Sequence, residues 1–244
     1  MRPYRALGSL HSPSNAPFRV ARAKGLTGVA FSGWPESAQR FFIGLQLDNS
    51  RSYFEANRDL YLRDVKAPME ALAAELEKVV GPGHIFRINR DVRFSKDKSP
   101  YKTSIAAWWA GSGGELYVHL DARDFYVWSG KHEMDNEMLA RFRNAVADEG
   151  SGEALVAIVA DLERKGYKVE GGEALKRVPP GYPKDHARAR FLRHKNIGVS
   201  RSFGLQPWLG TPEARDRVLE VWRDAQPLRA WLRESVIGAP SAAR

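Results

Sequence analysis

The middle of the chain constrains the fold more than any other stretch. Four short segments, 84–94, 103–110, 115–120 and 124–129, are rich in aromatic and β-branched residues and read as strands. Ser112-Gly113-Gly114 joins the second to the third, and Asp121-Ala122-Arg123-Asp124 joins the third to the fourth. Connections that short make hairpins, so these neighbours are expected to be antiparallel. A strand alternates its side chains, so Leu116, Val118 and Leu120 share one face of the third strand. Tyr117 and His119 share the other.

Helical periodicity lies on both sides of these strands. Ala38, Phe41, Phe42 and Leu45 follow Pro35 at helical spacing, and 51–65 continues helically with Phe54, Tyr61 and Val65 on one side. Pro68 suits the first turn of the next helix, lined by Met69, Leu72, Leu76, Val79 and Val80 and stopped by Gly81-Pro82-Gly83. Beyond the strands, Met138, Leu139, Phe142 and Val146 form one stripe, and Leu155, Ile158, Val159 and Leu162 a second. Residues 171–184 are loop-like, 185–196 polar and basic, and 197–203 extended. Ala214, Val218, Val221 and Trp222 mark a last helix, extended past Pro227 by Leu228, Trp231 and Leu232. The expected fold is a single α+β domain over 31–237, an antiparallel sheet flanked by N-terminal and C-terminal helices. Residues 1–30 are expected to be a disordered basic tail, and 238–244 a flexible C-terminus.

At 244 residues and 43% hydrophobic content the chain is long enough to bury a sizeable core. It has no cysteine, which excludes disulfides, thiolate metal sites and cysteine nucleophiles. No apolar run approaches the roughly 20 residues of a membrane helix, and no apolar stretch of about 7–15 residues follows the basic N-terminal residues, so a secretory signal is not expected. The expectation is a cytoplasmic protein without a membrane partner. Of the net charge of +9, residues 1–24 carry +5 without a single acid. Two further stretches are strongly basic: 87–102 has six Lys/Arg against two Asp, and 184–201 six against one. Positive charge concentrated in this way suits a small anionic ligand better than a uniformly basic nucleic-acid coat.

The first of these stretches is Arg87-Ile-Asn-Arg90-Asp91-Val-Arg93-Phe94-Ser-Lys96-Asp97-Lys98-Ser-Pro100-Tyr101. If 87–94 is extended, Arg87, Asn89, Asp91 and Arg93 share one face, and Ile88, Arg90, Val92 and Phe94 the other. Arginine then stands on both faces, and one on the apolar side needs a carboxylate or a bound anion. One reading is a cleft in which Arg87, Arg90 and Arg93 grip a phosphate or carboxylate, with Lys96, Tyr101 and Lys195 as further ligands. Asp91, Asp97, Lys98 and His186 are then the candidate acids and bases. The other reading is an Arg–Asp network that braces the strand.

This segment resembles a signature, Arg-x-x-Arg-Asp-x-Arg-Phe-x-x-(Asp/Asn)-Lys-x-x-Tyr, of a widespread bacterial conserved-hypothetical family known as domain of unknown function 2461. Arg87, Arg90, Asp91, Arg93, Phe94, Asp97, Lys98 and Tyr101 all match it. Tyr53-Phe54-x-x-Asn57-Arg58-x-x-Tyr61 and Pro180-Gly181-Tyr182-x-x-Asp185-His186, running on to Leu192 and Lys195, are similar to the family too, with Ala187 where a Pro is expected. The resemblance covers roughly 31–237. It implies a fold group and points to the same charged residues, and it carries no reaction or substrate with it.

Within 184–201, neighbouring residues on a helix do not face one another, so Asp185 beside His186 is no oriented dyad. Most of the arginines here read as a solvated basic helix capped by Asp185, which leaves His186 and Lys195 as site candidates. The six histidines show no His-Glu-x-x-His spacing, and His132-Glu133-x-Asp135-x-Glu137 reads as the acidic start of a helix, so no metal is expected. Phosphate-loop, dinucleotide and nucleophile-elbow motifs are absent, and the residues name no cofactor and no oligomeric state. Trp108 and Trp109 point to opposite faces of their strand, so one of them is free to line a cleft or stack on a base. The function expected is binding or transformation of a small phosphate- or carboxylate-bearing ligand. The alternatives are a nucleic-acid-binding module and a non-catalytic protein whose charge cluster is structural.

Overall fold

Pro35 and Glu36 open the first helix, the acid placing negative charge at the positive end of the helix dipole. This is α1 (Glu36–Leu47), and it buries Ala38, Phe41, Phe42 and Leu45. The structure, a computed structural model, describes residues 30–93, 97–111, 113–172 and 174–238. The expected basic tail and C-terminal end therefore lie almost wholly outside the described residues. The Ser50 hydroxyl accepts the Tyr53 amide at 3.1 Å and starts α2 (Arg51–Ala56). The unbroken helix expected over 51–65 is instead interrupted at Asn57. Its side chain donates to the Tyr53 carbonyl at 2.9 Å, the local competition with the backbone that makes Asn a poor mid-helix residue. A short α3 (Arg58–Leu60) then widens into a π-helical turn, Tyr61–Lys66, which points Tyr61, Asp64 and Val65 inward.

Pro68 sits in the first turn of α4 (Ala67–Val80), where its missing N–H costs nothing. Met69, Leu72, Leu76 and Val80 are buried. Val79, also expected on the inner face, is 59% exposed, because Val80, one turn on from Leu76, takes that place.

Six strands follow: β1 (Gly83–Ile85), β2 (Ser104–Gly111), β3 (Gly114–Asp121), β4 (Phe125–Lys131), β5 (Lys168–Glu170) and β6 (Ile197–Ser202). They form one sheet in the order β1-β2-β3-β4-β6-β5, every neighbouring pair antiparallel. In the β2–β3 turn Gly113 has φ +79°, and a Cβ there would come within 2.6 Å of the Arg229 carbonyl oxygen. Glycine is required on both counts. In the β3–β4 turn the Asp121 carboxylate accepts the amides of Arg123 and Asp124 at 2.7 and 2.9 Å.

Register fixes the two faces of the sheet. Ile105, Ala107 and Trp109 of β2 lie beside Leu120, Val118 and Leu116 of β3, and these beside Phe125, Val127 and Ser129 of β4. This face carries the core: α4 packs on β1 and β2, and α8 (Glu213–Asp224) and α9 (Gln226–Leu232) pack on β4. Arg229 of α9 is buried with its guanidinium over the Trp222 ring, and burial pushes its pKa down to about 10. The remaining helices are α5 (Asn136–Ala147), α6 (Glu149–Arg164) and the short α7 (Ala189–Leu192). Asp135 caps α5 by accepting the Met138 amide at 2.8 Å, as the acidic run there implies. Among the described residues no helix is long and apolar enough to cross a membrane.

Candidate functional site

The segment expected to be a strand over 84–94 is a strand only to Ile85. The ladder continues raggedly. The Phe86 amide reaches the Ala106 carbonyl, but the next bonds are Lys102 to Ile88 and Arg90 to Pro100, with a lone bridge between Asn89 and Tyr101. The pairing has slipped by two residues, so simple alternation no longer assigns the faces. The Asn49 amide clamps the backbone of Tyr101, donating to its carbonyl at 3.1 Å and accepting its N–H at 3.0 Å. The Tyr101 ring is 6% exposed and stacks on Phe54 at 4.3 Å, which makes it part of the core.

Around that clamp the expected ligand-gripping charges bind one another. Arg93 donates to both oxygens of Asp91, at 3.0 and 2.7 Å, and holds that carboxyl far below the usual range. Asp97 accepts from Ser99 and from Arg90, and both lower its pKa, Ser99 more strongly. Lys98 donates to the Val92 carbonyl at 2.9 Å. The loop is closed by its own ion pairs. Arg87 is exposed and makes no hydrogen bond or ion pair among the described residues. Lys96 and Phe94 lie outside the described residues.

A further cation, Lys102, makes no ion pair among the described residues and lies against the second face of the sheet. Cross-strand register sets His84, Trp108, Tyr117 and Trp128 in one row, and Ala106, His119 and Tyr126 in the next. Ala106, Tyr126 and Trp128 are buried here but stand outside the continuous core cluster. Phe86 extends the surface, its ring 5.3 Å from His84 and 6.3 Å from Tyr117. Lys102, half-buried, holds its ammonium 5.3 Å above the Phe86 ring. Burial first, and then the charges of Arg87 and Arg90, lower the Lys102 pKa. Burial and Lys102 do the same to His84. Further along, Tyr126 donates to Glu170 at 3.0 Å and Ser200 to the other oxygen of Glu170 at 2.9 Å. Lys102 and this aromatic surface were not singled out from sequence, although strand alternation had already separated Tyr117 and His119 from the apolar face of β3.

Residues 37–231 match the family model described as conserved hypothetical protein, DUF2461. The chain belongs to that family. The match takes in both the 87–101 loop and the whole sheet. None of the curated proteins searched matches the chain.

The second basic stretch of this DUF2461 protein is used elsewhere in the fold. Arg188 donates to the carbonyls of Val146, Ala147 and Asp148 at 2.6, 2.8 and 3.1 Å, closing the C-terminal end of α5. Arg190 pairs with Glu163 at 2.6 Å and Arg201 with Glu220 at 3.2 Å. The helix imagined over this stretch is only α7, preceded by Arg188 and not by Asp185. His186 accepts the Arg188 amide at 3.0 Å, and Lys195 is exposed. The side-chain bonds of Arg188 and Arg190 run to α5 and α6, whereas those of 87–102 run to Asn49 and within the loop. A groove of about 310 Å³ where β6 meets α8 is lined by Arg201, Phe203, Trp208, Arg217 and Glu220. Its arginines are paired with Glu220 and Glu213.

Proposed function

We propose that this DUF2461 protein binds a small ligand joining a phosphate or carboxylate to a planar ring, on the second face of its sheet. Lys102 carries the reading. Its ammonium is half-buried against Phe86 and bonds to no carboxylate among the described residues. An anion at that point offsets the desolvation of the ammonium and the repulsion from Arg87 and Arg90. The partly exposed rings of Phe86, Trp108 and Tyr117 beside it offer a stacking surface for the planar part of the ligand. Of the cations expected at the site, Arg87 and Arg90 both act on Lys102 through their charge, and Arg90 and Arg93 already hold carboxylates.

Phenyl phosphate, benzoate, inorganic phosphate and a short oligothymidylate test this by thermal shift and tryptophan fluorescence. The expected result is a shift with phenyl phosphate larger than with inorganic phosphate, reaching about 2.7 kcal/mol at a hundredfold excess over Kd. Lys102→Met abolishes it and Arg93→Ala leaves it in place. A response to the oligonucleotide alone, collapsing at high salt, moves the function to nucleic-acid binding. No response to any of these anions overturns the proposal.

A further inference from the structure

We infer that Tyr117, His119 and Asp121 form a reactive triad on the same face, with Tyr117 Oη the nucleophile, His119 its base and Asp121 the group that orients the base. The proposed ligand surface tells us only where a substrate would lie. The triad itself stands on its own geometry. Positions i, i+2 and i+4 of β3 share the second face. Tyr117 Oη lies 3.4 Å from His119 Nδ1, and His119 Nε2 lies 3.3 Å from the Asp121 carboxylate. The Tyr117 and His119 rings are stacked at 6.3 Å with 29° between their planes. Both contacts are longer than an ordinary hydrogen bond, as is common before a substrate tightens such a site.

The roles follow from which atoms are already engaged. One oxygen of Asp121 is held by the Arg123 and Asp124 amides, which aims the other at His119. A carboxylate on Nε2 selects the tautomer with its proton there and leaves Nδ1 as an acceptor for the phenol. The His119 and Asp121 side chains are 20% and 12% exposed, so the pair is shielded and still reachable. Tyr126, opposite His119 on β4, shows the contrast. Its hydroxyl donates to Glu170, and burial together with that carboxylate raises its pKa strongly, so this phenol keeps its proton. Across β2 the neighbour of His119 is Ala106. On that side Lys102 lies over the Phe86 ring, whose centroid is 6.3 Å from that of Tyr117.

In the reaction Tyr117 Oη bonds to the acyl carbon, phosphorus or sulfur of an activated ester or halide. The bond to the leaving group breaks, and the leaving group keeps the electron pair. The phenol proton passes to His119 Nδ1, and Asp121 steadies the imidazolium.

The test is 4-methylbenzenesulfonyl fluoride on the full chain, with the labelled residue read by peptide mass spectrometry and fluoride as the leaving group. Tyr117 is expected to react first among the 8 tyrosines. Tyr117→Phe removes the label without changing Tm. His119→Gln slows it about 100-fold. Asp121→Asn, with its circular dichroism unchanged, also slows labelling, because the imidazole loses the carboxylate that orients it. Preferential label on Tyr126 or Lys102, or an unchanged rate in His119→Gln that keeps its circular dichroism, overturns the triad. The probe needs no bound ligand, so failure here leaves the phenyl phosphate result standing, and failure there leaves this one.

Discussion

Arg93 and Asp91 meet through two short hydrogen bonds, yet their side chains are 75% and 43% exposed. Water competes for such a pair, and ordering two side chains cancels most of the Coulomb gain. Asn49 makes a less conspicuous contact, two bonds to the backbone of the buried Tyr101. Removing it strips partners from peptide groups that water reaches poorly. We expect Arg93→Ala to leave the urea midpoint where it is, and Asn49→Ala to cost about 2 kcal/mol with an unchanged m-value. A reversed order would mean that the exposed pair braces the fold after all. The contrast also shows what sequence can convey at this scale. The density of charge at 87–101 is plain to read, whereas the Asn49 clamp joins residues 52 apart and has no local signature.

Elements with strong periodicity were legible. The stripes of α1, α8 and α9, the two hairpins and the extended run that became β6 are where apolar spacing and turn chemistry place them. The misreadings have local causes. Asn57 breaks a helix that the apolar spacing carries through it. The slipped ladder after Phe86 turns an expected strand into an ion-paired loop. The three-residue β5 is too short to show alternation. Arg188 illustrates how one side chain supports an element far from it in sequence, since it donates to three carbonyls at the end of α5. The Val146 and Ala147 carbonyls, in the last turn of α5, have no acceptor role inside the helix. Arg188→Ala should therefore cost about 1–2 kcal/mol. Hydrogen exchange should quicken in the last turn of α5 and stay unchanged in α8. Uniform quickening across both would show that Arg188 serves the whole fold and no single helix end.

At the scale of the molecule, the candidate site was hidden from sequence because it is assembled from separate strands. Lys102 stands just before β2, His84 belongs to β1, and Tyr117 and His119 to β3, and only the register puts them side by side. The same separation governs how stability responds to pH. His194 is 8% exposed, packed edge-on to Phe191, and the backbone at Gly171 lies so close that a Cβ there would come within 2.3 Å of its ring. Burial first, then Arg190 and Arg193, push its pKa down from 6.5 to about 4. The folded chain therefore holds a neutral imidazole where the unfolded chain takes a proton. Between about pH 6.5 and 4 the unfolded state binds more protons, so stability is full above that window and falls as the pH drops through it. The loss approaches about 3 kcal/mol from this residue. Carboxylates titrate in the lower part of the same window, which makes the difference from a neutral variant the informative quantity. His194→Phe, which keeps a ring in that space, should flatten the Tm–pH curve between pH 6.5 and 4 relative to the wild type. Parallel curves would mean that the imidazole already finds its proton in the folded protein.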